Sequence, residues 1–177
     1  KIGNGSSVND TEDLNGIAVD AFNNVYVCGS FGFTTVDFDP TGSVINLTKI
    51  GTSDAYFAKY TPTGTYVWAK NIGGPTTSLK ALDVFVEGSR VFLSGYFNTT
   101  VDFDPDVGIA NGISAGSNDI FYASYYSADG SYICKGTAGG SGIDYAQSII
   151  GDGSSTGAFN VLGWFQGTNI DFDPSAT

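Results

Sequence analysis

The chain has 177 residues, of which 7 are Lys or Arg and 18 are Asp or Glu, so its formal net charge is −11. This balance excludes ordinary nucleic-acid binding, which needs clustered basic side chains, and argues against docking on an anionic membrane. The absence of His excludes catalytic triads and zinc sites that depend on imidazole. Instead, the 25 Gly, 10 Tyr and 13 Phe are typical of short strands joined by tight turns.

The first part of the chain predicts four strands in succession. The first ends in the turn Phe22-Asn23-Asn24, because Asn tolerates the left-handed backbone of tight hairpins. The third ends at Thr61-Pro62-Thr63-Gly64, where Pro presets the turn and Gly closes it. The predicted strands cover residues 16–20, 25–31, 55–60 and 66–72.

The second part of the chain predicts the same plan. Turn signals recur at Glu87-Gly88-Ser89 and at Ser127-Ala128-Asp129-Gly130. No segment shows the 3.6-residue apolar period of a helix, and no apolar run is long enough to span a membrane. The strands predicted here cover residues 82–86, 91–97, 120–125 and 132–135, followed by 146–150 and 159–165.

An internal repeat organises these strands. Val36-Asp37-Phe38-Asp39-Pro40 returns as Val101-Asp102-Phe103-Asp104-Pro105 and again as Ile170-Asp171-Phe172-Asp173-Pro174. The spacings are 65 and 69 residues. Other short motifs, such as Gly64-Thr65-Tyr66 and Gly130-Ser131-Tyr132, recur in the same order within the repeats. Four antiparallel strands in each unit predict β-propeller blades. A solenoid usually has shorter repeats, and a single β-sandwich does not explain units that recur in register.

Longer stretches of the repeat carry a family resemblance. Ile17-Ala18-Val19-Asp20, the segment Asn24 to Phe31, Asp54 to Tyr60, and Val67 to Gly74 resemble the bacterial seven-bladed β-propeller repeat. This resemblance covers essentially the whole chain and implies a large secreted or cell-surface bacterial protein. It is nearly silent about activity. Two departures are Cys134, which stands where the first repeat has Trp68 or one position from it, and the truncated third repeat.

The repeat predicts an all-β chain of about two and a half blades. The predicted units are residues 1–72, with the end of a preceding blade at 1–10, residues 73–138, and residues 139–177. Because a closed propeller needs at least four blades, we expect further blades of the same chain, or other copies of it, to complete the ring. The chain also has no Met, so we expect a processed product or a piece of a longer protein.

The repeated acidic motif is a candidate calcium site. In an extended segment, alternate residues face the same way, so each Asp-x-Asp pair presents two carboxylates opposite a Phe. Carboxylate oxygens suit Ca²⁺, but this ion usually takes six or more oxygens. The alternative is structural, with the Phe buried and the Asp side chains accepting backbone hydrogen bonds in a turn. The candidate ligands are Asp37, Asp39, Asp102, Asp104, Asp106, Asp171 and Asp173.

Other residues suggest weaker alternatives. A glycosidase also needs two carboxylates, but an enzyme needs one special site, whereas this pair recurs in every unit; we therefore predict no catalytic residues. Cys28 and Cys134 fall in different strands of successive units, which argues against a disulfide. The many aromatic residues predict packing between blades more than sugar stacking. These are Tyr56, Phe57, Tyr60, Tyr66, Trp68, Phe121, Tyr122, Tyr125, Tyr126, Trp164 and Phe165.

These observations favour a non-enzymatic extracellular or cell-surface scaffold that presents loops for protein contact. The alternatives are a carbohydrate-binding propeller and a part of a larger secreted hydrolase or lyase. The expected partners are further blades, glycans or surface proteins, with no nucleic acid and no membrane insertion. N-glycosylation patterns at Asn4, Asn9, Asn46 and Asn98 are consistent with an outward-facing protein.

Overall fold

A computed structural model describes residues 12–153 and 157–166 of the chain. Within these residues the protein consists of strands and turns, with no helix, so none is long and apolar enough to cross a membrane. The predicted all-β fold is confirmed. The strands are β1 (Glu12–Val19), β2 (Val25–Phe31), β3 (Thr35–Asp37), β4 (Asn46–Thr48), β5 (Asp54–Tyr60), β6 (Tyr66–Ile72), β7 (Leu79–Glu87), β8 (Arg90–Phe97), β9 (Thr100–Asp102), β10 (Asn111–Ile113), β11 (Asp119–Tyr126), β12 (Tyr132–Ala138), β13 (Tyr145–Gly151) and β14 (Phe159–Trp164).

Three antiparallel sheets follow one another along the chain. The first sheet has the order β1-β2-β5-β6, the second has the equivalent order β7-β8-β11-β12, and the third consists of β13 and β14. The first and second sheets are therefore four-stranded blades, and the described residues form an incomplete propeller. The predicted end of a preceding blade, at residues 1–10, lies outside the described residues.

The first strand of each sheet is longer than predicted, and each of these strands contains a β-bulge. The bulges lie between Leu14 and Gly16 in β1, between Ala81 and Asp83 in β7, and between Ala146 and Ser148 in β13. A bulge adds one residue to one strand and shifts its side-chain alternation. In β1 and β7 the predicted strand begins only at or after the extra residue, whereas the strand predicted for β13 already includes it.

A short hairpin is inserted between the second and third strands of each complete sheet. The pair β3–β4 follows β2, and the pair β9–β10 follows β8, each with three residues per strand. Our sequence prediction missed both hairpins, since three-residue strands interrupted by Asp, Pro and Gly carry almost no alternation. The hairpins bury Val36 and Val101 against their own sheets.

The sheets converge at their first strands and pack face to face. β7 contacts β1, β2 and β5 of the first sheet, and β13 contacts β7 and β8 of the second. The main core lies between the first two sheets and includes Tyr26, Phe57 and Trp68 from the first together with Leu93 and Tyr125 from the second. A second core covers the opposite face of the first sheet.

Each pair of neighbouring sheets is joined in the same way. A parallel bridge links Ser53 to Ser78 between the first and second sheets, and another links Asn118 to Ile143 between the second and third. The first sheet ends at Ile72, the second spans residues 79–138, and the third spans residues 145–164. We call the connection at residues 73–78 the first joint and that at residues 139–144 the second joint.

Candidate functional site on the hairpin face

One edge of the sheets carries both the inserted hairpins and the joints. Because successive strands are antiparallel, the segment after the second strand and the segment after the fourth strand emerge at the same edge of each sheet. We call this edge the hairpin face; it comprises residues 32–53, 73–78, 98–118 and 139–144. The opposite edge carries the tight turns near residues 20–24, 61–65 and 127–131.

The Phe of each acidic motif within the described residues anchors its hairpin. Phe38 and Phe103 are both fully buried. Phe38 packs edge-on against Tyr56, with the ring centroids 4.9 Å apart, and Phe103 packs against Phe121 at 5.2 Å. The predicted burial of the Phe between the two Asp residues is confirmed for these two repeats.

A tyrosine from the third strand of each sheet fastens the same motif. The hydroxyl of Tyr60 donates to the carbonyl oxygen of Phe38 at 2.9 Å, and the hydroxyl of Tyr125 donates to that of Phe103 at 3.0 Å. Both hydroxyl groups are buried, and burial raises the pKa of each tyrosine. Sequence reasoning missed this role, although the recurrence of Tyr60 and Tyr125 65 residues apart was a signal for it.

The first Asp of each of the two described motifs closes the hairpin loop. Oδ1 of Asp37 accepts the backbone N–H groups of Asp39 and Ile45 at 3.0 and 2.9 Å. These hydrogen bonds, the one from Ile45 above all, hold the pKa of the Asp37 carboxyl below its usual range. In the second repeat, Oδ1 of Asp102 accepts the equivalent N–H groups of Asp104 and Ala110 at 3.0 and 2.8 Å.

The second Asp of each of these two motifs caps the turn that follows. Oδ1 of Asp39 accepts hydrogen bonds from the backbone N–H and the hydroxyl of Thr41, at 2.8 and 2.6 Å. Oδ1 of Asp104 accepts the N–H of Asp106 at 2.9 Å. Each described Asp-x-Asp pair therefore has a structural role in its own loop, as the alternative to calcium binding predicts.

A cleft of about 280 Å³ opens on the hairpin face between the first and second sheets. Asp102, Asp104 and Asp106 line one side of it, and Ile50 and Asn71 line the other. The structure thus brings the three acidic residues of the second repeat to one cleft. At its base the N–H of residue 102 donates to the carbonyl of residue 73, and Lys70 forms an ion pair with Asp106.

Calcium binding by these carboxylates stays a prediction. Among the residues that the structure describes, no group of three or more His, Cys, Asp or Glu side chains is arranged to hold a metal ion. Asp171 and Asp173, the third pair of candidate ligands, lie outside the described residues.

Large aliphatic side chains stand exposed at the hairpin tips. Val44 is 69% exposed and Ile109, which occupies the same position of the second repeat, is 80% exposed. Val107 is completely exposed beside it, and Ile50 and Ile113 are exposed near the hairpin bases. Exposed aliphatic side chains therefore recur at the same position of both described hairpins, on the face that also carries the acidic cleft.

Most of the aromatic residues pack as predicted. Tyr56, Phe57, Tyr60, Trp68, Phe121 and Tyr125 are buried, whereas Tyr126, Trp164 and Phe165 are exposed. Trp68 meets Phe57 edge-on at 5.4 Å, and its indole N–H donates to the carbonyl of Ser127 in the second sheet at 3.4 Å. The Trp68 side chain therefore joins the outer strand of the first blade to the turn between β11 and β12 of the second.

The two cysteines are free, as the sequence predicted. Cys28 is buried in the core between the first two sheets, and burial raises the pKa of its thiol strongly. Cys134 occupies the position of Trp68 in the next repeat, on β12, but is exposed. The described residues place no outer strand of the third sheet against it.

Comparison with known proteins yields one partial similarity. Over 90 residues the chain is 31% identical to an uncharacterized WD repeat-containing protein of Acanthamoeba polyphaga mimivirus. The aligned region covers 48% of this chain and 6% of that protein, so the chain spans only a small part of its relative's length. No family model matches the chain.

This similarity agrees with the observed architecture at the level of the repeat type. WD repeats form four-stranded propeller blades of roughly 40–45 residues. The repeat of the present chain is longer because residues 32–53 and 98–118 carry the inserted hairpins. The chain thus shares a β-propeller type of repeat, while membership of the bacterial seven-bladed family stays a prediction.

Proposed function

We propose that this protein is a non-enzymatic scaffold that binds other proteins through its hairpin face. The observation that carries the proposal is the repeated exposed aliphatic tip, Val44 and Ile109, on the same hairpin face as the acidic cleft. Propeller repeats commonly present their connecting segments for binding, and loops placed by a rigid scaffold are frequent contact sites.

The chemistry of this face defines the partner that it fits. The exposed aliphatic groups require apolar side chains, and the carboxylates of Asp102 and Asp104 favour positive charge. The chain as a whole carries a net charge of −11, which attracts cationic partners and speeds their association. We therefore propose a partner segment that combines aliphatic residues with Lys or Arg.

Peptide binding tests this function directly. A labelled peptide of alternating Leu and Lys should bind the chain, whereas an otherwise identical peptide of Leu and Glu should not, as measured by fluorescence anisotropy. The double variant Val107→Ser with Ile109→Ser should weaken binding of the basic peptide at least tenfold. Phe22→Ser is the matched control, since Phe22 is 80% exposed on the opposite edge. Equal affinity of all three proteins would contradict the proposal.

A second surface supports the proposal that further blades pack on the first sheet. An apolar groove of about 400 Å³ lies on its outer face, lined by Val25, Val27, Pro40, Tyr60 and Gly64 among others. The equivalent residues of the second sheet, Val91, Leu93 and Tyr125, are fully buried against the first sheet. The groove is therefore equivalent to a surface of the second sheet that the first sheet covers. We propose that another blade covers the groove in the same way.

A tandem protein tests the packing of a further blade. Fusing a second copy of residues 12–78 ahead of the first sheet should bury the groove and raise the free energy of unfolding measured in urea. The same fusion with Trp68→Ala in the added copy only should lose most of that gain, because Trp68 makes the equivalent contact between the first two sheets. A tandem protein no more stable than the single chain would contradict this proposal.

We also propose a secreted or cell-surface location. It is supported by the resemblance to the bacterial repeat family and by the exposure of Asn46, which lies in an N-glycosylation pattern. Fractionation of cells that express the natural protein, followed by digestion with external protease, tests the location.

A further inference from the structure

Two buried carboxylates meet at the second joint. Asp119, the first residue of β11, is 3% exposed, and Asp144, the last residue of the joint, is fully buried. A Cβ atom built on Gly139 would lie 2.8 Å from Oδ1 of Asp119 and 2.9 Å from Oδ2 of Asp144. The two oxygens therefore border the same point, and their separation cannot exceed the sum of these distances.

One of the four carboxylate oxygens has no donor within the described residues. Oδ1 and Oδ2 of Asp144 accept the N–H groups of Gln166 and Gly140, each at 2.9 Å. Oδ2 of Asp119 accepts the N–H of Ala115 at 2.7 Å, whereas Oδ1 of Asp119 is buried without a hydrogen-bond partner. A buried charge without a partner is strongly destabilising, so this oxygen requires a donor.

The first joint shows what is different here. Asp54 stands at the position of Asp119 and accepts the N–H groups of Ile50 and Gly51 as well as the side-chain amide of Asn71 at 2.8 Å. Register places Thr137 at the position of Asn71 and Asp144 at the position of the buried, apolar Leu79. The second joint has thus lost an amide donor and gained a carboxylate.

We propose that Asp119 and Asp144 share one proton in the folded chain, with Oδ1–H of Asp119 donating to the carboxylate of Asp144. The proton supplies the hydrogen-bond donor that Oδ1 of Asp119 lacks. It also removes one of the two like charges from the buried joint. Two carboxylates that share a site cannot both ionise readily. Burial, with the nearby Asp144 as a smaller cause, raises the pKa of Asp119 in agreement with this arrangement.

Within the part of the chain that the structure describes, the elements around the pair bring no cation to it. From β8 the residue opposite Ile120 is Tyr96, and from β13 the hydroxyl of Tyr145 accepts the side-chain amide of Asn118 at 3.1 Å. The basic side chains of the adjacent strands are engaged or distant: Lys80 on β7 pairs with Asp13, and Lys135 on β12 lies opposite Ala123. A Ca²⁺ ion would need six or more oxygens, and three of the four oxygens here already accept backbone N–H groups.

The shared proton makes the second joint sensitive to pH. Because the pKa of Asp119 is raised in the folded chain, the folded state holds the proton more tightly than the unfolded state. The stabilising contribution is therefore fully present below the ordinary Asp pKa of about 3.9 and is lost as the pH rises through the folded pKa. The stability of the second joint should therefore decrease as the pH rises. The stability of the first joint, which has Leu79 in place of Asp144, should not.

Titration of the carboxyl carbons by NMR tests the proposal in the whole chain. Asp119 should titrate well above the ordinary range of Asp in the natural sequence. It should titrate lower in Asp144→Asn, which removes the second charge, and lower in Thr137→Asn, which restores the amide donor of the first joint. Thr137→Asn leaves both carboxylates in place, so it keeps the test valid if Asp144→Asn does not fold.

Either of two results would overturn the proposal. One is an Asp119 carboxyl that titrates in the ordinary range in the natural sequence. The other is a titration midpoint of the Asp119 carboxyl that CaCl₂ lowers saturably at constant ionic strength. That result would show that a cation and not a proton occupies the joint. The signal of Asp54 serves as the internal control, because neither variant touches the first joint.

Discussion

Two equivalent glycines allow the packing between blades to be measured by a single added methyl group. Gly64 and Gly130 close the same turn in successive repeats, and both have a left-handed backbone, with φ of 82° and 77°. A Cβ at Gly64 would meet nothing within 4 Å. A Cβ at Gly130 would lie 2.9 Å from Cγ of Lys70 and 3.2 Å from the ring of Trp68, both on the first sheet.

The expected loss in the free energy of unfolding has two contributions, the left-handed backbone and the overpacking of the added methyl group. A left-handed backbone costs a residue with a Cβ about 1–2 kcal/mol, and this cost applies to both substitutions. Overpacking adds about 1–3 kcal/mol at Gly130 alone. We therefore expect Gly64→Ala to lower the free energy of unfolding by about 1–2 kcal/mol and Gly130→Ala by about 2–5 kcal/mol.

Urea unfolding followed by circular dichroism measures both losses. The tryptophan emission of the folded state adds a local readout, since Trp68 is one of only two tryptophans. In a background that carries both Trp68→Ala and Lys70→Ala the two glycine substitutions should become nearly equal, because both contacts of the added methyl group are gone. Equal losses in the natural background would refute the packing of the first sheet on the turn at Gly130.

Three further predictions concern single features. Phe103→Ala should lower the free energy of unfolding by about 3–5 kcal/mol in urea denaturation, because its buried ring anchors the second hairpin; a loss below about 1 kcal/mol would contradict this. Cys134 should react with a thiol reagent in the native chain, and Cys28 only after unfolding, as followed by mass spectrometry. If Ca²⁺ binds the second acidic loop, a hundredfold excess of the ion over its dissociation constant should stabilise the chain by about 2.7 kcal/mol. The double variant Asp102→Asn with Asp104→Asn should abolish that stabilisation. Equal thermal unfolding midpoints with Ca²⁺ and with chelator would show that these residues only cap turns.

Much of the blade could be predicted from the sequence because its signals are local. The predicted strands Val25–Phe31 and Tyr66–Ile72 have their observed bounds, since runs rich in β-forming residues lie between clear turn residues. The burial of Phe38 and Phe103 also follows from alternation, which places the flanking Asp side chains on the opposite side of the strand. These features depend on neighbours within a few residues.

Other features were decided only by tertiary structure. The bulge beside Asp83 and the inserted hairpins have no period of their own, and their positions depend on contacts with the adjoining sheet. The buried pair at the second joint is a still clearer case. Asp119 and Asp144 are 25 positions apart in the chain, and neither the acidic motif nor the turn pattern includes them. They become partners because two sheets converge there and exclude water, and the chemistry of a carboxyl group depends on which groups surround it after folding.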